Sequence, residues 1–142
     1  MLSGASMWAQ AQAETVGFVK TVSGDAWVIT TGQRVKAQLG TPVLLGSQLK
    51  TSKSATLGVT FKDNTLMSFG SDTELTVDEY LFAPTQGKLK LSASLNKGSL
   101  NYVSGVIAKL KPEMVTVKTP TGTIGVRGTQ FLVNVEAPSM AD

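Results

Sequence analysis

The sequence has no cysteine and no histidine. That excludes disulfide frameworks, thiolate and imidazole metal sites, and every catalytic triad that relies on a histidine base. Arginine is nearly missing as well: Arg34 and Arg127 are the only two, and proteins that read nucleic acid lean on arginine. The lysines are scattered from Lys20 to Lys118 and form no phosphate-binding patch, so the net charge of +3 is read as a solubility feature and no nucleic-acid partner is expected. No nucleophile elbow or phosphate loop is present, and no enzyme activity, metal or cofactor is expected. No run approaches the ~20 apolar residues of a membrane-crossing helix, so the chain is not expected to span a membrane.

What is present is a chain of 142 residues, 42% hydrophobic and 16% charged, with 14 glycines. That is enough to bury one core, and too apolar for a disordered tail. Short alternating runs are separated by turn residues. Val16, Phe18 and Val22 alternate before Ser23-Gly24-Asp25. Ala26, Val28 and Thr30 follow, with Trp27 and Ile29 on the other face, so this strand is expected to be covered on both sides. Val35, Ala37 and Leu39 form a third run. The clearest strand is Ala55-Leu57-Val59-Phe61, followed by a tight turn at Asp63-Asn64 and a return strand from Thr65 to Phe69. Leu75 and Val77 alternate, and Tyr80, Leu81 and Phe82 make an apolar cluster.

In the second half Leu89, Leu91, Ala93 and Leu95 alternate strictly. Asn96-Lys97-Gly98 reads as a turn, and Leu100 and Tyr102 as the start of a new strand. Val106, Ile107 and Leu110 have helical spacing, so one helical turn closed by Pro112 is expected. Val115 and Val117, then Ile124 and Val126, then Phe131, Val133 and Val135 complete the pattern. The fold class is all-β: a short β-solenoid-like or sandwich-like stack of about ten short strands.

The first thirteen residues differ from the rest. They carry no charge and end in Ala11-Gln12-Ala13 before Glu14. Small residues at minus three and minus one suit signal peptidase. No basic residue precedes them and the apolar stretch is short, so either the true start lies upstream of Met1 or the match is accidental. Export is the preferred reading over a disordered leader. The expected division is a signal-peptide remnant or disordered leader over 1–13, a β domain over 14–136 and a disordered tail over 137–142, with the protein periplasmic or secreted.

The end of the chain is distinctive. Val115-Thr116-Val117-Lys118-Thr119-Pro120 is followed by Ile124-Gly125-Val126-Arg127-Gly128-Thr129-Gln130-Phe131. Together with Gly46 to Thr51, the strand from Ala55 to Phe61 running into Asp63-Asn64, and Lys97-Gly98-Ser99-Leu100, this resembles the FecR domain family over Val16 to Val135. The resemblance implies an extracytoplasmic β-rich domain, either a short β-solenoid or a pair of packed sheets. Full-length regulators of that family relay occupancy of an outer-membrane iron-citrate receptor to a cytoplasmic sigma factor. This chain shows no anti-sigma region and no membrane helix, so a stand-alone FecR-like domain is expected. Its motif residues, structural or partner-binding, are Thr119, Pro120, Gly125, Arg127, Gly128, Thr129 and Phe131.

Arg127 is read as satisfying backbone carbonyls or an acidic side chain at a bend, in preference to an anion contact. Gly128 is expected to take a positive φ or to allow close chain approach. Asp63, Asp72, Glu74, Asp78 and Glu79 show no catalytic or calcium-binding spacing and are read as turn caps and solvated strand edges. Trp27 is expected in the core; Tyr80 and Tyr102 suit either core or contact. The function expected is protein binding or signal sensing in the cell envelope, with another envelope protein as partner. The alternative is an envelope carbohydrate-binding module using exposed aromatics.

Overall fold

The computed structural model describes residues 14–125 and 128–135. Among them are twelve strands and one helix: β1 Thr15–Ser23, β2 Ala26–Thr30, β3 Gln33–Lys36, β4 Pro42–Leu44, β5 Gln48–Thr51, β6 Thr56–Phe61, β7 Leu66–Phe69, β8 Glu74–Ala83, β9 Lys88–Val103, α1 Val106–Leu110, β10 Val115–Thr119, β11 Gly122–Gly125 and β12 Gln130–Val135. The all-β expectation holds. The strands form one curled sheet in which every pairing is antiparallel except β9 with β10.

The curl makes two facing layers that share β9. Sheet B runs β3-β2-β5-β8-β9-β10-β11, using the first part of β9. Sheet A runs β4-β1-β6-β7-β9-β12, using the last part of β9. Asn96-Lys97-Gly98 is therefore not a turn between strands. Gly98 has φ +97° and bends one 16-residue strand from one layer into the other without reversing it. Of the two architectures the sequence left open, this is the sandwich-like one.

The core lies between the layers. Leu57, Phe61, Met67, Leu100 and Tyr102 from sheet A face Leu49, Leu75, Leu91, Leu95 and Val117 from sheet B, all fully buried. Each buried leucine contributes roughly 1.5–3 kcal/mol relative to exposure. The Phe61 and Tyr80 rings meet across the interface at 5.5 Å between centroids. The alternation of Leu89, Leu91, Ala93 and Leu95 puts all four inside, as period-two spacing requires.

Three readings are corrected by the structure. β1 has register irregularities between Thr15 and Gly17 and between Val19 and Thr21. These bring Val16 and Val19 inward and leave Phe18 exposed, because a bulge shifts which face each residue takes. Val35 is exposed, since β3 is an edge strand with no layer over it, and Leu39 is exposed in the connection that follows β3. Trp27 and Ile29 are half-buried rather than covered; the Arg34 guanidinium lies 4.5 Å from the centre of the Trp27 ring. The expected helical turn is α1, followed by a 3-10 turn at Pro112–Met114. Among the described residues no helix is long and apolar enough to cross a membrane.

Candidate functional site

The solvent-facing side of sheet A is built from strands with an unusual composition. β6, β7, the stretch of β9 from Gly98 to Val103, and β12 contain no Asp, Glu, Lys or Arg. Cross-strand register sorts their outward residues into rows. Phe18, Thr60, Leu66, Val103 and Gln130 form one row across five strands. Beside it run Thr21, Gly58, Ser68, Asn101 and Leu132. Phe18 is 48% exposed, Leu66 42% and Leu132 76%. Three large apolar side chains are thus held in solvent on one face, whose four charge-free strands are bordered by β1 with its exposed Lys20.

The second row is low at Thr21, Gly58 and Ser68, whose side chains are small or absent, and rises at Leu132. Gly58 carries no side chain, and a Cβ there would press into the Thr21 hydroxyl. The result is a groove of about 540 Å³, lined outwardly by Thr21, Ser68, Ser99, Asn101, Leu132 and Asn134. Gln130 Nε2 donates to Asn101 Oδ1 at 3.0 Å and ties β12 to its floor. The Thr60 hydroxyl, flanked by Phe18 and Leu66, is buried with no hydrogen-bond partner among the described residues. Apolar side chains, hydroxyls and amides, with no charged residue in the groove lining, suit a protein surface of the same kind and supply no general acid or base.

A second polar cluster is internal. Asp63 is buried, and its carboxylate accepts from the Thr65 N–H (3.3 Å) and hydroxyl (2.8 Å), from the Tyr80 hydroxyl (2.9 Å) and from the Ile107 N–H (3.0 Å). Its own N–H donates to the Tyr80 oxygen at 2.9 Å, and its carbonyl accepts from the Val106 N–H at 2.8 Å. Asp63 therefore caps α1 as well as its own turn and clamps the helix to both sheets; the turn-cap reading holds, and the expectation that the residue is solvated is corrected. Burial, and then the Asp63 charge, push the Tyr80 hydroxyl well above its usual pKa. Burial pushes Tyr102 up to about 12, with the Asp63 charge adding to the rise, and its hydroxyl has no hydrogen-bond partner among the described residues. The other acids are dispersed over sheet B. Glu74 pairs with Lys50 and Lys97, Asp72 with Lys97, and Glu79 with Lys90; Asp78 accepts from the Ser94 hydroxyl.

The motif residues from the sequence do not converge. Thr119 and Pro120 form the turn between β10 and β11, where the Thr119 hydroxyl donates to the Gly122 carbonyl at 2.9 Å. Gly125 ends β11 opposite Thr116. Arg127 lies outside the described residues. Gly128 has the expected positive φ, +85°, and a Cβ there would meet nothing within 4 Å among the described residues, so positive φ is the local reason they show. The carbonyls of Gly128 and Thr129 accept from the Ser104 hydroxyl (3.0 Å) and N–H (2.8 Å). Phe131 stacks on Tyr102 at 4.8 Å. The motif spans both layers, and the groove is lined instead by the residues just after it. Sequence reasoning missed Phe18, Leu66, Asn101 and Leu132; the signal available was the absence of charge in four strands.

Residues 47–141 match the profile of the family described as FecR protein. Neither a curated protein nor a solved structure matches the chain.

Proposed function

The chain belongs to the FecR family, a family of regulatory signalling domains of the cell envelope, and on that premise we propose that it acts as a non-catalytic binding module whose partner is another envelope protein. In this reading the chain is exported to the periplasm or beyond, residues 14–136 make the domain, and the partner docks on the outer face of sheet A. The observation that carries it is the face of sheet A on which Phe18, Leu66 and Leu132 are held in solvent, with no charge on β6, β7, β12 or the last part of β9. Leaving such a patch uncovered is costly, and a partner surface of matching chemistry removes it from water. A carbohydrate-binding role has less support. It calls on several exposed aromatic faces, whereas Tyr80 and Tyr102 are buried, Trp27 is half-buried beneath the Arg34 guanidinium, and Phe18 stands alone as a large exposed aromatic among the described residues.

The test is chemical crosslinking in cell-envelope extract with the parent domain and a Phe18→Glu/Leu66→Glu variant. Both sites are exposed, so folding stability is expected to change by no more than about 0.5 kcal/mol per site. The parent captures a defined protein and the variant does not. Capture that survives both substitutions, or selective retention of a glycan by the parent, overturns the reading.

A further inference from the structure

A strand that leaves one layer for another takes hydrogen-bonding partners away from the strands beside it, and those backbone groups must be satisfied in some other way. β9 does this at Gly98, where it passes from sheet B to sheet A. The groove on sheet A ends at that bend, with Gly70 and Ser99 in its lining. Gly70 follows β7, and Ser99 is the first residue of β9 beyond the bend. Between them the Gly70 N–H donates to the Ser99 carbonyl at 3.2 Å.

Two buried threonines reach this end of the groove from the other layer. Thr51 closes β5, and Thr73 stands directly before β8, both on the sheet B side. The Thr51 N–H donates to the Thr73 carbonyl at 2.9 Å, so the two are held side by side. The Thr51 hydroxyl donates to the Gly70 carbonyl at 2.7 Å and accepts from the Thr73 N–H at 2.9 Å. The Thr73 hydroxyl donates to the same carbonyl at 2.9 Å and accepts from the Ser99 N–H at 3.1 Å. A hydroxyl offers one hydrogen and two lone pairs, and here both hydroxyls act as donor and acceptor at once. They stand in for the ladder that the bend interrupts. The fit is close: a Cβ on Gly98 would press into Thr73.

We propose that Thr73 is a positioning residue for partner docking. Buried beneath the groove, it makes no contact with the partner; by holding the Gly70 carbonyl and the Ser99 N–H together it fixes the spacing of the two strands that wall this end. The inference deepens the sheet A reading and rests on it. Without the hydroxyl the Ser99 N–H loses that acceptor, and the wall shifts to find another while the apolar core below keeps its packing.

Thr73→Val keeps the side-chain shape and removes the hydroxyl, whereas Thr73→Ser keeps the hydroxyl. By amide hydrogen exchange, Ser99 is expected to exchange at least about tenfold faster in Thr73→Val, with mid-β6 amides changing less and the parent rate restored in Thr73→Ser. In the envelope crosslinking experiment, run where every variant is folded, Thr73→Val captures the partner at least about threefold less efficiently than the parent, and Thr73→Ser captures like the parent. Thr51→Val takes one donor from the Gly70 carbonyl and frees the Thr73 N–H. It lowers capture in the same direction and carries the test if Thr73→Val fails to fold. Full capture by the folded valine variant, an unchanged Ser99 exchange rate in Thr73→Val, or a loss of capture that Thr73→Ser does not restore overturns the proposal. If Phe18→Glu/Leu66→Glu loses capture while Thr73→Val keeps it, the proposal alone falls; if the double variant also keeps capture, the sheet A reading falls with it.

Discussion

The outer faces of sheets A and B cover the same core but turn opposite chemistry to solvent. Across sheet B one row reads Lys36, Trp27, Lys50, Glu74, Lys97. Opposite charges sit side by side, with Lys50 to Glu74 at 3.4 Å and Lys97 to Glu74 at 3.8 Å. Across sheet A the corresponding rows hold hydroxyls, amides and three exposed apolar side chains, with no charge on β6, β7, β12 or the last part of β9. Sheet B already satisfies its own surface, as a solvated face does. Sheet A leaves large apolar side chains in water, and it is on this contrast that the proposed docking on sheet A rests.

The largest blow to this contrast falls where the two faces join. Gly98→Val adds a side chain at φ +97°, against the Thr73 hydroxyl and backbone. It is expected to cost at least about 3 kcal/mol, from positive-φ strain and overpacking together, or to prevent folding; a denaturant midpoint close to the parent's would show that the corner tolerates a side chain. Next comes pH. Tyr80 on the sheet B side and Tyr102 on the sheet A side both have folded pKa values raised above the usual 10.0. Their neutral forms are favoured in the fold, so stability holds below pH 10 and falls as pH rises from there through the Tyr102 value of about 12. Each contributes a slope of up to about 1.4 kcal/mol per pH unit. Tyr102→Phe removes its share at little cost near neutrality, because that hydroxyl has no hydrogen bond to lose; alkaline melts of the two proteins that superimpose would contradict it. The smallest effect is on the charged face. Lys97→Ala removes the contacts to Asp72 and Glu74, which are partly exposed, and is expected to cost no more than about 1 kcal/mol, less at high salt. A larger, salt-independent loss would mean that sheet B owes more to its ion pairs than its exposure allows.

Much of the fold is legible along the chain because strand burial follows period two. Leu57, Val59 and Phe61, or Leu89 to Leu95, need only local spacing to be assigned to the core. Phe18 is not legible, since the β1 irregularities that turn it outward depend on its pairing with β4 and β6. Asn96-Lys97-Gly98 has turn chemistry, and only the partners on either side of β9 show that the chain bends there without reversing. Asp63 sits in a polar turn whose burial is imposed by α1, 44 positions later. The groove was hidden for the same reason: its walls come from Thr21 to Asn134, and register alone brings them together. The closing motif was visible at once by composition, yet its residues are distributed between the turn at Thr119 and the stack at Phe131.

β9 belongs to both layers, and this governs how the molecule comes apart. Neither layer retains a complete set of neighbours once that strand is withdrawn, so the domain has no half that can persist alone. Melting is then a single all-or-none event, and the amide protons in the middle of β9 are the last to trade with solvent.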